Sequence, residues 1–298
     1  MASTPPVSSE PVFRFAPSPN GRLHLGHALS ALTNAALAQR SGGRLLLRIE
    51  DIDLTRCRPE FVECIEEDLA WLGIRFEPGH RRQSAHFDDY ARALAALRQN
   101  GLVYPCFCSR QEIRNEVAAR EAETGRPWPV DPDGAPLYPG HCKRLDPDEA
   151  ARRIAAGEPH VLRLDMAAAI AAAGQPLSYT VFDAEDARHA VPVSPERWGD
   201  VVLARKDVPT SYHVAVTVDD ALQGVTHVVR GRDLEAATDV HVLLQSLLGL
   251  PVPLYHFHRL LLGDDGQKLA KSRDSRSLAD LRADGVTAAE IRRQLGFA

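Results

Sequence analysis

Aromatic residues are scarce in this chain, 6% of 298 residues, and no motif for stacking nucleobases occurs among them. That argues against a non-catalytic module that grips single-stranded RNA through aromatic platforms. A run of 18 apolar residues is also missing, so no membrane-spanning helix is expected. The N-terminus, MASTPPVSSEP, lacks the charged start and apolar middle of a signal peptide. Residues 1–10 are therefore expected to be a disordered tail, and the chain to be cytoplasmic. Charge of one sign does not dominate either: the formal net charge is −5. This excludes a broadly basic RNA-coating protein but leaves an RNA partner possible if cations collect on one face. The candidate clusters are Arg110/Arg114/Arg120/Arg126, Lys143/Arg144, Arg152/Arg153, Arg205/Lys206 and Arg292/Arg293; each taken singly reads as a solvated face. The five cysteines are odd in number and lack a secretory context, which argues against disulfides.

What is present is an ordinary globular composition, 44% hydrophobic and 25% charged, in a chain long enough for two domains or one with an insertion. It is organised around residues 14–31, RFAPSPNGRLHLGHALSA. An apolar strand over 12–16 stops at Pro17 and Pro19, Gly21 turns the chain, and a helix opens at Leu23. His24 and His27, three apart, share a helix face near its N-terminus. Backbone N–H groups and the macrodipole make such a start a site for phosphate. Two imidazoles there can bond phosphate oxygens, and Gly26 leaves room for a flat ring against the backbone. Gly42-Gly43 stops the helix, and 44–49 (RLLLRI) is a buried-strand candidate. Strand, helix and strand with short links begin a doubly wound, Rossmann-like α/β parallel sheet. Glu50, Asp51 and Asp53 stand where the second strand ends, the edge at which such sheets bind ligands.

Further on, 59–72 and 88–99 read as helices. Residues 109–124 form a polar helix with a capping box, Ser109 with Glu112. The apolar runs at 201–204, 212–218 and 226–230 resume the sheet half, 236–248 is an apolar helix ended by Gly249, and 255–262 is strand-like. Two short helices, 277–283 and 287–295, close the chain. The expected division is 11–101 and 200–259 for the two halves of a catalytic domain, 102–199 for an insertion, and 260–298 for a lysine-bearing loop with a helical tail. Cys106, Cys108 and Cys142 fall in the insertion, and three thiolates in a cytoplasmic protein favour zinc over a disulfide. Coordination chemistry alone favours His141 as fourth donor. The loop LLGDDGQKLAKSRDS carries Lys268 and Lys271 with few apolar anchors, so it is expected to be mobile.

The His-Leu-Gly-His string after Ala-Pro-Ser-Pro resembles the HIGH signature of class I aminoacyl-tRNA synthetases, and RFAPSPNGRLHLGHA is most similar to the glutamyl branch. Lys268-Leu269-Ala270-Lys271-Ser272 resembles the partner KMSKS signature, departing from it between the lysines. The resemblance covers roughly residues 12–275. It implies ATP-binding by His24, Gly26, His27 and Lys271, with Lys268 and Lys271 offsetting charge on the α-phosphate as diphosphate leaves. It implies an L-glutamate pocket built from Arg14, Phe15, Ala16, Pro17, Ser18, Glu50, Tyr212 and Arg230. There Glu50 would hold the amino group and the arginines a carboxylate. It also implies one structural Zn²⁺ on Cys106, Cys108, Tyr138 and Cys142, with Tyr138 in place of His141. Few residues follow the lysine loop, so an anticodon-binding domain is not expected. The whole then resembles the glutamyl-queuosine tRNA(Asp) synthetase family. That resemblance implies activation of glutamate with ATP and Mg²⁺, then transfer to queuosine in the anticodon loop of tRNA(Asp), by a monomer. The alternatives are a short glutamyl-tRNA synthetase acting at the tRNA 3′ end, and a nucleotidyltransferase with a similar His-x-Gly-His helix.

Overall fold

The computed structural model describes residues 10–261 and 276–297. The chain opens with β1 (Val12–Phe15), α1 (Leu25–Arg40) and β2 (Arg44–Ile49), the βαβ unit expected from its glycine and apolar pattern. β1 and β2 pair in parallel, Val12 opposite Arg44 through Phe15 opposite Leu47. Both are near-continuous apolar runs because both faces of a parallel sheet are covered. α2 (Pro59–Trp71), with proline in its first turn, leads to a short β3 (Arg81–Arg82) and α3 (Phe87–Gln99).

After β4 (Val103–Cys106), α4 (Arg110–Thr124) starts with the expected Ser109–Glu112 capping box and stops at Gly125, whose φ is 63°. α5 (Pro147–Ala155), β5 (Val161–Leu164), α6 (Met166–Ala173), β6 (Ser178–Phe182), β7 (Arg188–Pro192) and β8 (Val202–Ala204) follow. The last third holds α7 (Tyr212–Leu222), β9 (His227–Gly231), α8 (Thr238–Leu248), β10 (Leu254–His258), α9 (Leu278–Ala283) and α10 (Ala288–Leu295).

The large sheet has seven strands in the order β3-β2-β1-β9-β10-β6-β7. All pair in parallel except β7, which runs antiparallel to β6. One face packs on α1, α2 and α10 through Phe13, Leu32, Ile49, Ile65, Leu69 and Ile291. Helices α3, α7 and α8 share a second core with α6, built on Tyr90, Leu97, Val214, Val240 and Leu243. The doubly wound α/β class read from the sequence is therefore the observed one.

Three details differ from the sequence reading. Sheet membership cuts across the expected insertion: the β6–β7 hairpin completes the large sheet, with Val181 paired to Tyr255. β8, assigned above to the resuming half, instead joins β5 in a separate antiparallel sheet, β4-β5-β8. The run at 212–218 is a helix and not a strand of the sheet. It is buried almost without interruption from Val214 to Asp220, and a fully buried helix shows no periodicity to tell it from a strand. Among the described residues no helix is long and apolar enough to cross a membrane.

Candidate active site and metal centre

Strand order reverses between β1 and β9, and a doubly wound sheet binds its ligands outside the carboxyl ends of the strands at such a point. A cleft of about 550 Å³ opens there. Its walls include Arg14, Phe15, Ala16, Pro17 and Ser18 from β1 and its exit, and His24, Gly26 and His27 from the start of α1. Glu50 beyond β2, Tyr212 at the start of α7 and Arg230 on β9 complete them. Residues far apart in sequence are thus brought to one cavity. Lys268 and Lys271 lie outside the described residues.

The start of α1 is built by its two histidines. His24 is the N-cap: its Nδ1 accepts the Gly26 N–H at 3.0 Å, while His27 Nδ1 accepts the His24 N–H at 3.2 Å. Both Nδ1 atoms are acceptors, so each neutral ring carries its proton on Nε2. The rings lie 3.9 Å apart, centroid to centroid. A Cβ on Gly26 would come within 2.9 Å of His24 Cε1. The glycine thus makes room for the capping imidazole, a role its spacing alone did not reveal.

Charge at the floor of the cleft is carried by a buried chain. Asp220 Oδ1 accepts from Arg14 Nε at 3.0 Å and from Arg48 Nη1 at 2.6 Å. Arg48, fully buried in β2, reaches on to Glu50 Oε1 at 3.1 Å. Burial alone would raise the Asp220 carboxyl, but Arg14 and Arg48 outweigh it and hold the group below the ordinary carboxylate range. Glu50 is the opposite case: burial keeps its carboxyl above the ordinary value despite Arg48 and Arg14. A ligand ammonium at Glu50 would supply the further positive charge that burial makes favourable.

Arg230 has a different setting. Its Nη1 faces the Tyr212 hydroxyl at 3.4 Å and His241 Nδ1 at 3.2 Å, and its Nη2 donates to Thr238 Oγ1 at 2.6 Å. The guanidinium stands over Tyr255 and Phe257, with its carbon 5.4 and 5.8 Å from their ring centres. Among the described residues no carboxylate pairs with it. Asp51 and Asp53 have structural partners: Asp51 accepts from the Ser84 backbone and hydroxyl, each at 2.8 Å, and Asp53 from Thr55 and Arg56. Sequence reasoning missed Arg48, Asp220, Thr238 and His241. An arginine inside the buried run RLLLRI and the acidic pair Asp219-Asp220 in an apolar segment were the available signals, since buried charges require partners.

A second constellation lies where β4 meets the loop before α5. The sulfurs of Cys106, Cys108 and Cys142 lie within 4.8 Å of one another, with Cys108 Sγ 3.4 Å from Cys142 Sγ. The Tyr138 hydroxyl is 3.4 Å from Cys108 Sγ, and its oxygen accepts the Cys142 N–H at 2.7 Å. The Arg163 guanidinium sits 4.0 Å from the centre of the Tyr138 ring. Burial pushes the Cys108 thiol up to about 12. Cys142 is also buried, yet bonds to Tyr138 and the Phe107 N–H bring it below the ordinary thiol value. Three convergent sulfurs and no disulfide make a donor set that can hold a metal ion. His141 is exposed at the start of a short turn, whereas the Tyr138 oxygen faces the sulfurs. Cys57 and Cys64 are not part of the cluster.

The fold and cleft are those of a doubly wound α/β protein with its ligand site at the switch point of the sheet. The family described as tRNA synthetases class I (E and Q), catalytic domain, matches residues 11–296, and the chain belongs to it. It is 46% identical over 295 residues to the glutamyl-Q tRNA(Asp) synthetase of Rhodobacter capsulatus, covering 96% of this chain and 100% of that protein. The glutamyl-Q tRNA(Asp) synthetase of Symbiobacterium thermophilum is 41% identical, covering 92% of this chain and 82% of its own. Among solved structures, a glutamate tRNA ligase from Elizabethkingia meningosepticum in complex with its amino acid superposes with a TM-score of 0.72 at 27% identity. That match covers 89% of this chain, which spans only 52% of the ligase.

Proposed function

We propose that this protein activates L-glutamate with ATP and transfers it to the queuosine base in the anticodon loop of tRNA(Asp). In the first step a carboxylate oxygen of glutamate attacks the α-phosphorus of Mg²⁺-ATP, forming glutamyl-adenylate and releasing diphosphate. In the second, a hydroxyl of the queuosine cyclopentene-diol attacks the glutamyl carbonyl, giving an ester and AMP. The observation that carries the reading is one cleft holding Glu50, the paired histidines and an Arg230 that has no acidic partner among the described residues. Arg230 offers a cation to the side-chain carboxylate, with Arg14 beside it and Tyr212 closing the pocket. Glu50 takes the ammonium, and Phe15, Ala16, Pro17 and Ser18 form the wall along the substrate. His24, Gly26, His27 and Lys271 hold ATP, and Lys268 with Lys271 offsets the charge on the phosphates as diphosphate leaves. Transfer to queuosine draws its support from the glutamyl-Q relatives, one of which this chain covers over 100% of its length.

The test is radiolabelled glutamate supplied with tRNA(Asp) bearing queuosine, the same tRNA bearing guanosine, and tRNA(Glu). Glutamate-dependent exchange between diphosphate and ATP is expected without any tRNA, and label only on the first acceptor. Binding should weaken with salt, as phosphate contacts require. If tRNA(Glu) is charged and queuosine makes no difference, the reading is wrong.

The metal centre is read as one structural Zn²⁺ held by Cys106, Cys108, Tyr138 and Cys142, with all four positions closed to water. Bound zinc would tie the proline-rich loop to β4. About one zinc per chain is expected from metal analysis, and Cys106→Ser should lose it and loosen the small sheet. Tyr138→Phe should lower zinc retention against a chelator, and His141→Ala should not. The reverse pattern would make His141 the fourth ligand.

A further inference from the structure

Behind Arg230 two imidazoles lie in series. His241 Nδ1 is 3.2 Å from Arg230 Nη1, and its Nε2 is 3.2 Å from His213 Nδ1. A guanidinium only donates, so His241 Nδ1 must accept. Its single proton then sits on Nε2 and is donated to His213 Nδ1, which leaves the His213 proton on Nε2. Each ring fixes the tautomer of the next. Burial first, and the Arg230 charge second, keep both histidines neutral: His213 is pushed down to about 4 and His241 lies well below its ordinary value. His241 is itself only 3% exposed. The groups facing this pair are Trp198, with its ring centre 5.9 Å from that of His213, then Tyr212 from the start of α7, and Arg230 from β9. None of these faces carries a negative charge.

The contrast with the other arginine on the same wall is informative. Arg14 is neutralised within the protein by Asp220. Arg230, 4% exposed, is anchored by a hydroxyl, a phenol and an imidazole, all uncharged, and its Nε has no hydrogen-bond partner among the described residues. A buried cation without a counter-ion is costly until a ligand anion arrives. An isosteric carboxamide brings no charge to offset it, so the arrangement separates glutamate from glutamine by charge and not by shape.

We propose that His241, its tautomer fixed by His213, is a positioning and specificity-determining residue: it holds Arg230 in place through a neutral acceptor, so that the guanidinium keeps its full charge for the substrate carboxylate. This inference rests on glutamate being the amino acid activated. An acid at position 241 would orient Arg230 equally well but cancel its charge inside the protein. The pocket would then lose its preference for an anion.

The experiment is amino-acid-dependent exchange of diphosphate with ATP, run with glutamate and with glutamine on the full chain and three variants. Asparagine places its Oδ1 where His241 has Nδ1, so His241→Asn should retain a glutamate KM and a glutamate-to-glutamine ratio close to wild type. His241→Asp differs from it by one charge and should lower that ratio of kcat/KM by at least about 10-fold. His241→Leu removes the acceptor and should raise KM for glutamate about 10- to 100-fold with much less change in kcat. If the Asp variant does not fold, the Leu and Asn pair still decides. A wild-type-like KM in the Leu variant, or an equal ratio in the Asn and Asp variants, would overturn the inference. If the wild-type chain activates no glutamate, the reading beneath the inference fails and the inference goes with it; a wild type that prefers glutamate separates the two failures.

Discussion

Replacing Asp220 with alanine should destabilise the protein by about 3–5 kcal/mol, the range for breaking a buried ion pair from one side. The carboxylate is 6% exposed, and one of its oxygens serves two guanidinium groups, Arg14 at 3.0 Å and Arg48 at 2.6 Å. Arg48 would keep Glu50 and Gln223, each at 3.1 Å, but among the described residues Arg14 would keep only a long contact to the Val229 carbonyl at 3.5 Å. Arg48 would also keep the more distant Asp219, at 3.9 Å, but Arg14 would lose the one described carboxylate paired with it. Asp220→Asn isolates the charge, since it preserves shape and one acceptor oxygen. Because the folded-state carboxyl lies below its ordinary value of 3.8, the stability it adds is complete above that value. It is lost as pH falls through the lower, folded-state value. The gap between wild type and Asp220→Asn, measured by denaturant unfolding, should therefore be constant near neutrality and close only below about pH 4. A gap that already closes between pH 7 and pH 5 would mean that Asp220 is not held ionised by its two arginines.

The same chain of charges shows what could be read from the sequence and what could not. β1, α1 and β2 were legible because glycine, proline and apolar pattern agree, and local agreement of that kind fixes local structure. The lining of the cleft was legible as far as the resemblance marked it, from Arg14 to Arg230. What lies behind the lining was not. Asp220 approaches Arg14 across 206 positions of sequence, and His213 meets His241 across 28. No spacing rule connects such pairs; only the packing of α7 and α8 beside the sheet does. The β6–β7 hairpin illustrates the same limit for topology. The sequence reading placed no strands there, and nothing local states that Val181 pairs with Tyr255 and extends the large sheet. The helix at Tyr212 misled because a segment buried on all sides carries no polar face.

Arg230→Gln is expected to have the larger effect on activity, lowering kcat/KM for glutamate about 10²- to 10³-fold in the exchange reaction. The substitution keeps a neutral donor in place and removes a buried cleft cation that no described carboxylate neutralises. Most of the loss should fall on KM, because the side-chain carboxylate is bound equally in the ground state and in the transition state for adenylate formation. Glutamine should suffer far less, since its carboxamide never drew on the charge, and the ratio between the two amino acids should approach unity. Stability should change less than in the Asp220 variants. Removing Arg230 leaves only neutral groups, the Thr238 hydroxyl, the Tyr212 phenol and His241 Nδ1, in search of partners, and it relieves the burial of an uncompensated charge. Substrate kinetics and unfolding measured on the same preparation therefore distinguish the two arginines. Arg14 is tied to the internal ion pairs that hold the fold, and its loss should register in unfolding as well as in turnover. Arg230 is held in reserve for the ligand, and its loss should register almost entirely in KM. An unchanged KM for glutamate in Arg230→Gln would remove this residue from substrate recognition and leave the carboxylate to Arg14.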